Sequence, residues 1–324
     1  MMKFLRQMIA LSMFALGFGM ANPVLAADTP DPKSIEAMNV CIQCHNENWN
    51  KPILSLFQTK HGVKGDPRTP GCQTCHGMSA KHLESPVNAP DVKYTKNSTN
   101  TPEERTEKCL ACHKGEMRTR WDGSTHQARG IVCANCHDIH RPQQRVLSKA
   151  TQPEVCYTCH KEQRADFQKV SHMPVPEGKM ACSDCHNPHG SAGPKLMKMN
   201  TVRETCLQCH AEKRGPFLFE HQPVVEDCTN CHLPHGSNQQ TLLKTRPPFL
   251  CQECHDGPMG GATTGAHGPS IAGLNNAQTG YAPKPNATTG VMGSPSNQKT
   301  GRSCIGCHTM IHGTNSPAGG FFMR

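Results

Sequence analysis

The sequence is dominated by one short pattern, in which two cysteines are separated by two residues and a histidine follows the second cysteine. The stretch Cys182–His189 (CSDCHNPH) shows it, with another histidine three residues after the first. Two thiols at this spacing can add to the two vinyl groups of a porphyrin, and the adjacent histidine can then ligate the iron. The pattern therefore predicts covalently attached haem.

The pattern occurs ten times and uses all 20 cysteines. No thiol is left for a disulfide or a catalytic nucleophile, so a disulfide framework is excluded. Zinc ribbons also use paired cysteines, but they do not require a histidine after every second cysteine. The sequence thus predicts ten haem c groups, bound by Cys41, Cys44, Cys72, Cys75, Cys109, Cys112, Cys133, Cys136, Cys156, Cys159, Cys182, Cys185, Cys206, Cys209, Cys228, Cys231, Cys251, Cys254, Cys304 and Cys307.

The 20 histidines divide equally between two roles. Ten complete the cysteine motifs and are predicted to be the proximal iron ligands: His45, His76, His113, His137, His160, His186, His210, His232, His255 and His308. Ten others remain as predicted distal ligands: His61, His82, His126, His140, His172, His189, His221, His235, His267 and His312. This match predicts that every iron has two histidine ligands and a low potential, since a methionine ligand would raise it. The 16 methionines are scattered along the chain.

Some distal histidines follow a proximal one so closely that they cannot serve the same iron. His140, His189 and His235 come three residues after a proximal histidine, and His312 comes four after. Three residues span at most about 10 Å, which is too short to pass round a porphyrin edge to its opposite face. We expect each of these histidines to ligate a different haem and so to join neighbouring haems.

The haem motifs repeat in pairs. A first motif is followed 11 to 16 residues after its histidine by a lone histidine, then by a second motif and a close-spaced histidine. This repeat predicts a decahaem domain over residues 27–324, built of five two-haem modules: 41–82, 109–140, 156–189, 206–235 and 251–312.

Residues 1–26 are predicted to be a signal peptide. A positive start at Lys3 and Arg6 precedes a 13-residue apolar run, and small residues for cleavage follow. The run is shorter than the ~20 residues that span a bilayer. Without a twin arginine, export by the general secretion (Sec) pathway is favoured, and the mature protein is expected in the periplasm.

The elements that position the motifs are predicted to be short. Thr101, Thr151 and Thr201 each stand three residues before a glutamate, a capping-box pattern that opens a helix ahead of a first motif. The 26 prolines and 28 glycines interrupt most of the remainder, and strand alternation is nearly absent. The expected fold is a multihaem cytochrome c, mostly irregular coil with short α-helices wrapped round a linear haem array, elongated, with little or no β-sheet. Residues 84–101 and 257–301 are predicted linkers.

Composition limits both the core and the partners. Apolar residues make up 35% and aromatic residues 5% of the chain, so the haem rings must supply the apolar interior. The formal charge of +9 would suggest nucleic acid, but removing Lys3 and Arg6 leaves +7. Ten haems add about twenty negatively charged propionates, and each ferric iron adds about +1. The net charge of the protein is then about −3 when oxidised and about −13 when reduced. No nucleic-acid partner is expected.

The chain resembles the MtrA/DmsE-type decahaem cytochromes of outer-membrane electron conduits. The likeness is densest at Cys182–Ser191 (CSDCHNPHGS), Cys209–His235, Leu243–His255 (LKTRPPFLCQECH) and Gly301–Gly313 (GRSCIGCHTMIHG). The resemblance implies an elongated haem chain inside an MtrB-like outer-membrane β-barrel, passing electrons between periplasm and cell exterior. A periplasmic or inner-membrane cytochrome at one end and an extracellular multihaem cytochrome at the other are the further partners expected.

Electron transfer is the predicted function, and two alternatives stay open. A multihaem reductase of a small oxyanion would need an iron without a second protein ligand, whereas the histidine count leaves none. A free periplasmic electron shuttle would share every feature of the sequence. The direction of electron flow is left open between metal reduction, iron(II) oxidation and another extracellular acceptor.

Overall fold

A computed structural model describes residues 33–48, 51–63, 66, 69–255 and 303–323. The predicted signal peptide, the 257–301 segment and His267 lie outside these residues. The described chain forms two compact units. One contains the residues up to Lys93 together with Ile139–Pro142, and the other contains Tyr94–Asp138 and the residues from Gln143 onward.

The helices are short, as the punctuated sequence predicted. The α-helices of the described residues are Lys33–Ile42, Cys72–His76, Ala80–Glu84, Pro102–Leu110, Thr125–Ala128, Gln152–Cys156, Lys161–Asp166, Cys182–Cys185, Val202–Cys206, Gln222–Glu226 and Phe249–His255. Short 3-10 helices occupy Ile53–Gln58, Glu116–Arg118, Cys133–Asn135, Arg145–Leu147, Pro194–Leu196, Ala211–Lys213, Cys228–Asn230, Gln240–Leu242, Cys304–Gly306 and Gly319–Phe321.

Sheet structure is reduced to isolated antiparallel bridges. These join Ser171 to Ser237, His186 to Met197, Phe219 to Thr314 and His232 to Leu243. Over the described ranges no strand forms, and the prediction of coil with short helices and little sheet is confirmed. Among the same residues, no helix has the length and apolar character required to span a bilayer.

Two of the three predicted capping boxes form. The Thr101 hydroxyl accepts from the Glu104 N–H at 3.2 Å, and the Glu104 carboxylate accepts from the Thr101 N–H at 2.9 Å. The same reciprocal pair joins Thr201 and Glu204 at 3.0 and 3.1 Å. Each pair satisfies two helix-end donors and so fixes where the helix leading to a haem motif begins.

The box predicted at Thr151 is wrong. The helix Gln152–Cys156 forms, but Thr151 has helical backbone angles and makes no side-chain cap. Its hydroxyl donates instead to the Arg145 carbonyl at 2.7 Å. An acceptor from the preceding turn therefore competes successfully with the helix N-terminus, which a local sequence pattern does not reveal.

Residues 84–101 are not a simple linker. Val92 is buried, its N–H donates to the His76 carbonyl at 3.1 Å, and Asp91 accepts from the Ser79 N–H at 2.7 Å. The segment thus packs against the second haem motif. The boundary between the two units, at Lys93 and Tyr94, does fall inside this segment. The sequence therefore predicted where the units divide but not that part of the segment packs, because polar, proline-containing sequence is typical of both linkers and ordered irregular chain.

Packed apolar side chains are few, in line with the composition. Tyr157, Phe167 and Val175 form a buried cluster, and the partly buried Met173 and Met180 pack against it. Other buried apolar residues are spread along the chain. A conventional core of this size stabilises little, which agrees with the expectation that bound haem supplies the apolar interior.

Two glycines mark places where the chain returns to an earlier segment. A Cβ at Gly190 would lie 1.9 Å from the Arg120 carbonyl oxygen, and a Cβ at Gly236 would lie 1.9 Å from the Asp166 oxygen. Each glycine directly follows a predicted distal ligand, His189 or His235. Only a residue without a side chain permits this approach, which fixes the position of the histidine before it.

Candidate haem sites

Each cysteine motif forms a single helical turn. The N–H of the motif histidine donates to the carbonyl of the first cysteine, as from His137 to Cys133 at 2.9 Å and from His186 to Cys182 at 2.9 Å. Residues i, i+3 and i+4 of a helical turn share one face. Both thiols and the imidazole therefore belong to the same side of the turn, as a ring bound at three points requires.

The first cysteines of the two motifs in each predicted module lie in contact. Their thiols form hydrogen-bonded pairs, namely Cys41 with Cys72, Cys109 with Cys133, Cys156 with Cys182, Cys206 with Cys228 and Cys251 with Cys304. The hydrogen bond from Cys156 lowers the pKa of Cys182 to about 7, while the pKa of Cys156 is raised.

The second cysteines of successive modules lie near one another, close enough for each to affect the pKa of its neighbour. Burial raises the pKa of Cys136, and the neighbouring Cys159 thiol adds to the effect. Burial is also the main cause of the raised pKa of Cys185 and Cys231, to which Cys209 and Cys254 respectively contribute. Attachment points therefore follow one another in chain order through the second unit.

Seven pairs of predicted ligands face each other across a constant gap. Ring centroids are separated by 6.0 Å for His45 and His82, 6.3 Å for His76 and His140, 6.2 Å for His126 and His160, 6.2 Å for His137 and His189, 6.0 Å for His186 and His235, 6.1 Å for His221 and His255, and 6.2 Å for His232 and His312. Every pair combines one predicted proximal and one predicted distal histidine.

This gap fits a metal ion better than it fits ring packing. Two imidazoles bonded at about 2.0 Å to a metal between them have centroids about 6.3 Å apart. Parallel rings in direct contact would lie closer together, because the aromatic surfaces would touch. The angles between ring planes run from 4° to 75°, which axial ligands can adopt by rotating about the metal–nitrogen bond.

The close-spaced histidines lie beside motifs other than their own. His189 follows the motif histidine His186 by three residues, yet its ring faces His137. His235 in turn faces His186, and His312 faces His232. These three predicted ligands thus come from the next module along the chain, whereas His82 faces His45 of its own module.

The lone histidines His126 and His221 pair instead with motif histidines that come later in the chain. His126 faces His160, and His221 faces His255, each being the first motif of the following module. His172 contacts Glu177 with Nε2 at 3.8 Å, and His210 contacts Glu212 with Nδ1 at 3.5 Å. Among the described residues no ring pair includes these two.

Three more predicted ligands complete the 19 that the structure describes, and His267 lies outside the described residues. His61 is half-buried in the first unit, and His113 is exposed in the second. His308 lies in the second unit, where its Nδ1 donates to the Phe321 carbonyl at 2.5 Å.

All five histidines of the second motifs donate from Nδ1 to an oxygen further along the chain. Four of the acceptors are backbone carbonyls and one is a side chain, with contacts from His76 to Val92 at 2.9 Å, His137 to Gln144 at 2.9 Å, His186 to Lys195 at 2.9 Å, His232 to Thr241 at 2.9 Å and His308 to Phe321 at 2.5 Å. A proton held on Nδ1 leaves the Nε2 lone pair available for a metal. Sequence reasoning missed these acceptors because a backbone carbonyl carries no residue-type signal.

Burial keeps several of the paired imidazoles neutral. It is the largest cause of the lowered pKa of His45, His186, His189, His221, His235 and His312, and neighbouring charged groups add to it. Neutral imidazole is the form that ligates a metal.

Comparison with known proteins agrees with this geometry. The family described as "Doubled CXXCH motif" matches residues 126–165, 172–215 and 221–260, and "Cytochrome c554 and c-prime" matches residues 22–77. Multiheme cytochrome MtrA of Shewanella baltica is 41% identical over 288 residues, covering 88% of this chain and 80% of the relative. The chain is a multihaem c-type cytochrome of the MtrA family. A high-molecular-weight cytochrome c of Nitratidesulfovibrio vulgaris is 28% identical over 131 residues, 32% of this chain and 24% of that protein.

Membership of this family makes the chain an electron carrier that binds haem c through its cysteine motifs. The doubled-motif matches begin at the lone histidines His126, His172 and His221. Each match therefore covers the second motif of one predicted module and the first motif of the next. The family repeat and the predicted modules have the same period, but the family repeat begins at a lone histidine and each predicted module begins at a first cysteine motif.

Buried donors in the structure fit a ring that carries carboxylates. Trp121 and Tyr157 are each 7% exposed, and neither the indole Nε1 nor the phenol oxygen has a partner within the described chain. The buried Nε of Arg118 also lacks one. Buried polar groups are normally hydrogen-bonded, and haem propionates are acceptors of the right charge. The residues present thus fit the haem that the family binds.

Proposed function

We propose that this cytochrome carries electrons through ten haems, each ligated by two histidines. The observation that carries the proposal is the set of seven imidazole pairs with centroids 6.0–6.3 Å apart. Each haem supplies a one-electron redox centre. The 20 histidines named above act as the axial ligands of the ten irons. Because His126 and His221 pair with the first motif of the following module, His172 is assigned in the same way to the iron at His210.

Two imidazoles on each iron leave no position for a substrate. A reductase of a small oxyanion needs such a position, so ligation of this kind favours transfer over catalysis. A sizeable high-spin fraction in the electron paramagnetic resonance (EPR) spectrum of the pure protein would instead support the reductase.

Close spacing of the attachment points supports transfer between haems. Electron tunnelling slows steeply with distance, so a protein that moves electrons far must hold its centres nearly in contact. Successive attachment points lie close together, as Cys156 and Cys182 do within a module and Cys136 and Cys159 do between modules. Five two-haem modules within residues 27–324 account for this arrangement.

The cytochrome is further proposed to work in the periplasm, inserted in an outer-membrane complex after export by the Sec pathway. Its partner there is an MtrB-like β-barrel, with a periplasmic or inner-membrane cytochrome at one end and an extracellular multihaem cytochrome at the other. The relationship to MtrA cytochromes supports this placement. The same chain then serves metal reduction, iron(II) oxidation or another extracellular acceptor, according to what docks at each end.

Purification from native outer membranes tests the placement. The cytochrome should elute with a β-barrel protein in a fixed ratio, and liposomes containing both should pass electrons from an enclosed reduced dye to an external acceptor. Liposomes with the barrel alone are the control. Migration only as a free monomer from gently solubilised membranes would favour the periplasmic shuttle instead.

A further inference from the structure

Hydrogen bonding at Nδ1 is asymmetric within the imidazole pairs of the second unit. In four pairs one ring donates to a protein oxygen at 2.7–2.9 Å, and its partner ring has no such acceptor within the described chain. The donating rings are His126, His137, His186 and His232, and their respective partners are His160, His189, His235 and His312. One acceptor per iron therefore governs the basicity of the ligand set.

Two of these acceptors are the carbonyls of residues in the same backbone conformation at the same distance along the chain from the histidine. Lys195 and Thr241 each lie nine residues after the proximal histidine and have left-handed backbone angles, with φ of 52° and 56°. Their carbonyls accept from His186 and His232, each at 2.9 Å. A backbone carbonyl remains when the side chain is changed, so substitution cannot remove the acceptor.

The motif that ends in His137 has no left-handed residue nine positions after its histidine. The residue nine positions later is Val146, which is not among the residues with positive φ in the described chain. Its carbonyl accepts from the Gln152 side-chain amide at 2.8 Å. The Gln144 side-chain oxygen accepts from His137 Nδ1 in its place, at 2.9 Å.

The partner ring of this pair increases the dependence on Gln144. His189 Nδ1 is buried and has no hydrogen-bond partner in the described structure. Within the part of the chain that the structure describes, Gln144 is therefore the single acceptor for the Nδ1 atoms of the two imidazoles. It is half-buried, so water competes poorly for the bond.

We propose that Gln144 is a tuning residue that sets the reduction potential of the haem whose iron lies between His137 and His189. An acceptor at Nδ1 draws the proton away from the ring and makes Nε2 a stronger donor to iron. A stronger donor stabilises the more highly charged ferric state and lowers the potential. This role rests on the proposed ligation of that haem.

Two substitutions at this position should move the potential in opposite directions. Gln144→Leu removes the acceptor, so one-tenth of the haem absorbance should titrate at a higher potential than in the unmodified holoprotein. Gln144→Glu supplies a carboxylate, which should pull harder on the proton and lower the potential of the same fraction. The EPR g values of one low-spin centre should change in both variants.

Gln143 provides matched controls, because it is adjacent and exposed. Gln143→Leu and Gln143→Glu make the same changes of volume and charge without touching His137. The proposal is overturned if the Gln144 variants titrate like these controls, or if both Gln144 variants shift in the same direction. Full haem content with only low-spin iron in all variants would show that the ligation holds even when the role of Gln144 fails.

Discussion

A single methyl group placed directly after a distal histidine should release that histidine from iron. Gly190 and Gly236 follow His189 and His235, and an added Cβ at either would lie 1.9 Å from a backbone oxygen. Ordinary contact requires about 3.4 Å, so the backbone must move by roughly 1.5 Å. Metal–ligand distances tolerate only about 0.2 Å. Gly190→Ala and Gly236→Ala should each leave one iron five-coordinate.

The chain offers controls that separate the clash from backbone strain. Gly190 has a φ of +119°, so alanine there carries both effects, whereas Gly236 has the clash without a positive φ. Gly123 has a φ of +79° with nothing within 4 Å of an added Cβ, and Gly115 has open space without a positive φ. Strain at positive φ costs about 1–2 kcal/mol, and overpacking costs about 1–3 kcal/mol.

The four alanine variants are compared by EPR and by urea unfolding of the holoprotein. High-spin signal equal to one iron in ten should appear for Gly190→Ala and Gly236→Ala and be absent from the other two. Gly190→Ala should lose the most stability, and Gly115→Ala should lose none or gain up to about 1 kcal/mol. High-spin iron in Gly123→Ala, or none in Gly236→Ala, would refute the claim that these contacts hold the ligands in place.

Three further results are expected. His189→Ala should create a high-spin iron on the haem attached at Cys133 and Cys136, and replacing those cysteines as well should abolish that high-spin signal; persistence of the high-spin signal would contradict the pairing with His137. Asp184→Asn should lower the free energy of unfolding by up to about 1 kcal/mol at pH 7, because the carboxylate is only partly buried. Burial alone would raise the pKa of Asp184, but hydrogen bonds from the Ala181 N–H and Lys149 lower it. The stability that the carboxylate contributes is therefore present above its pKa in the unfolded chain and is lost as pH falls through its pKa in the folded protein. If Asp184→Asn cost as much stability in strong acid as at pH 7, the ionised carboxylate would not be the cause. Chain made without haem attachment should show no cooperative unfolding by circular dichroism, because ring binding supplies the folding free energy; a cooperative transition would disprove that dependence.

The family, the cofactor and the number of candidate ligands could be predicted from the sequence because each depends on residue types and their spacing. A thiol and an imidazole at fixed spacing have few alternative uses, and the repeat makes coincidence negligible. The same is true of the short helices, where Thr101 and Thr201 form the predicted caps. Thr151 does not, since an acceptor from an earlier turn captures its hydroxyl.

The pairing of ligands and their hydrogen-bond acceptors could not be predicted in the same way. His126 and His189 are the same residue type, and only the path of the chain sends one forward and the other back along it. Acceptors such as the carbonyls of Val92 and Lys195 depend on backbone direction and not on the side chain. Gln144 carried a polar side chain in the sequence, but nothing distinguished it from its neighbour Gln143.

An anomalous difference map recorded at the iron edge from crystals of the holoprotein tests the ligation most directly. One iron peak should lie between the imidazoles of each of the seven pairs, about 2 Å from both Nε2 atoms. An iron bound to His186 and His189 together, or a peak beside one imidazole with its predicted partner turned away, would contradict the account.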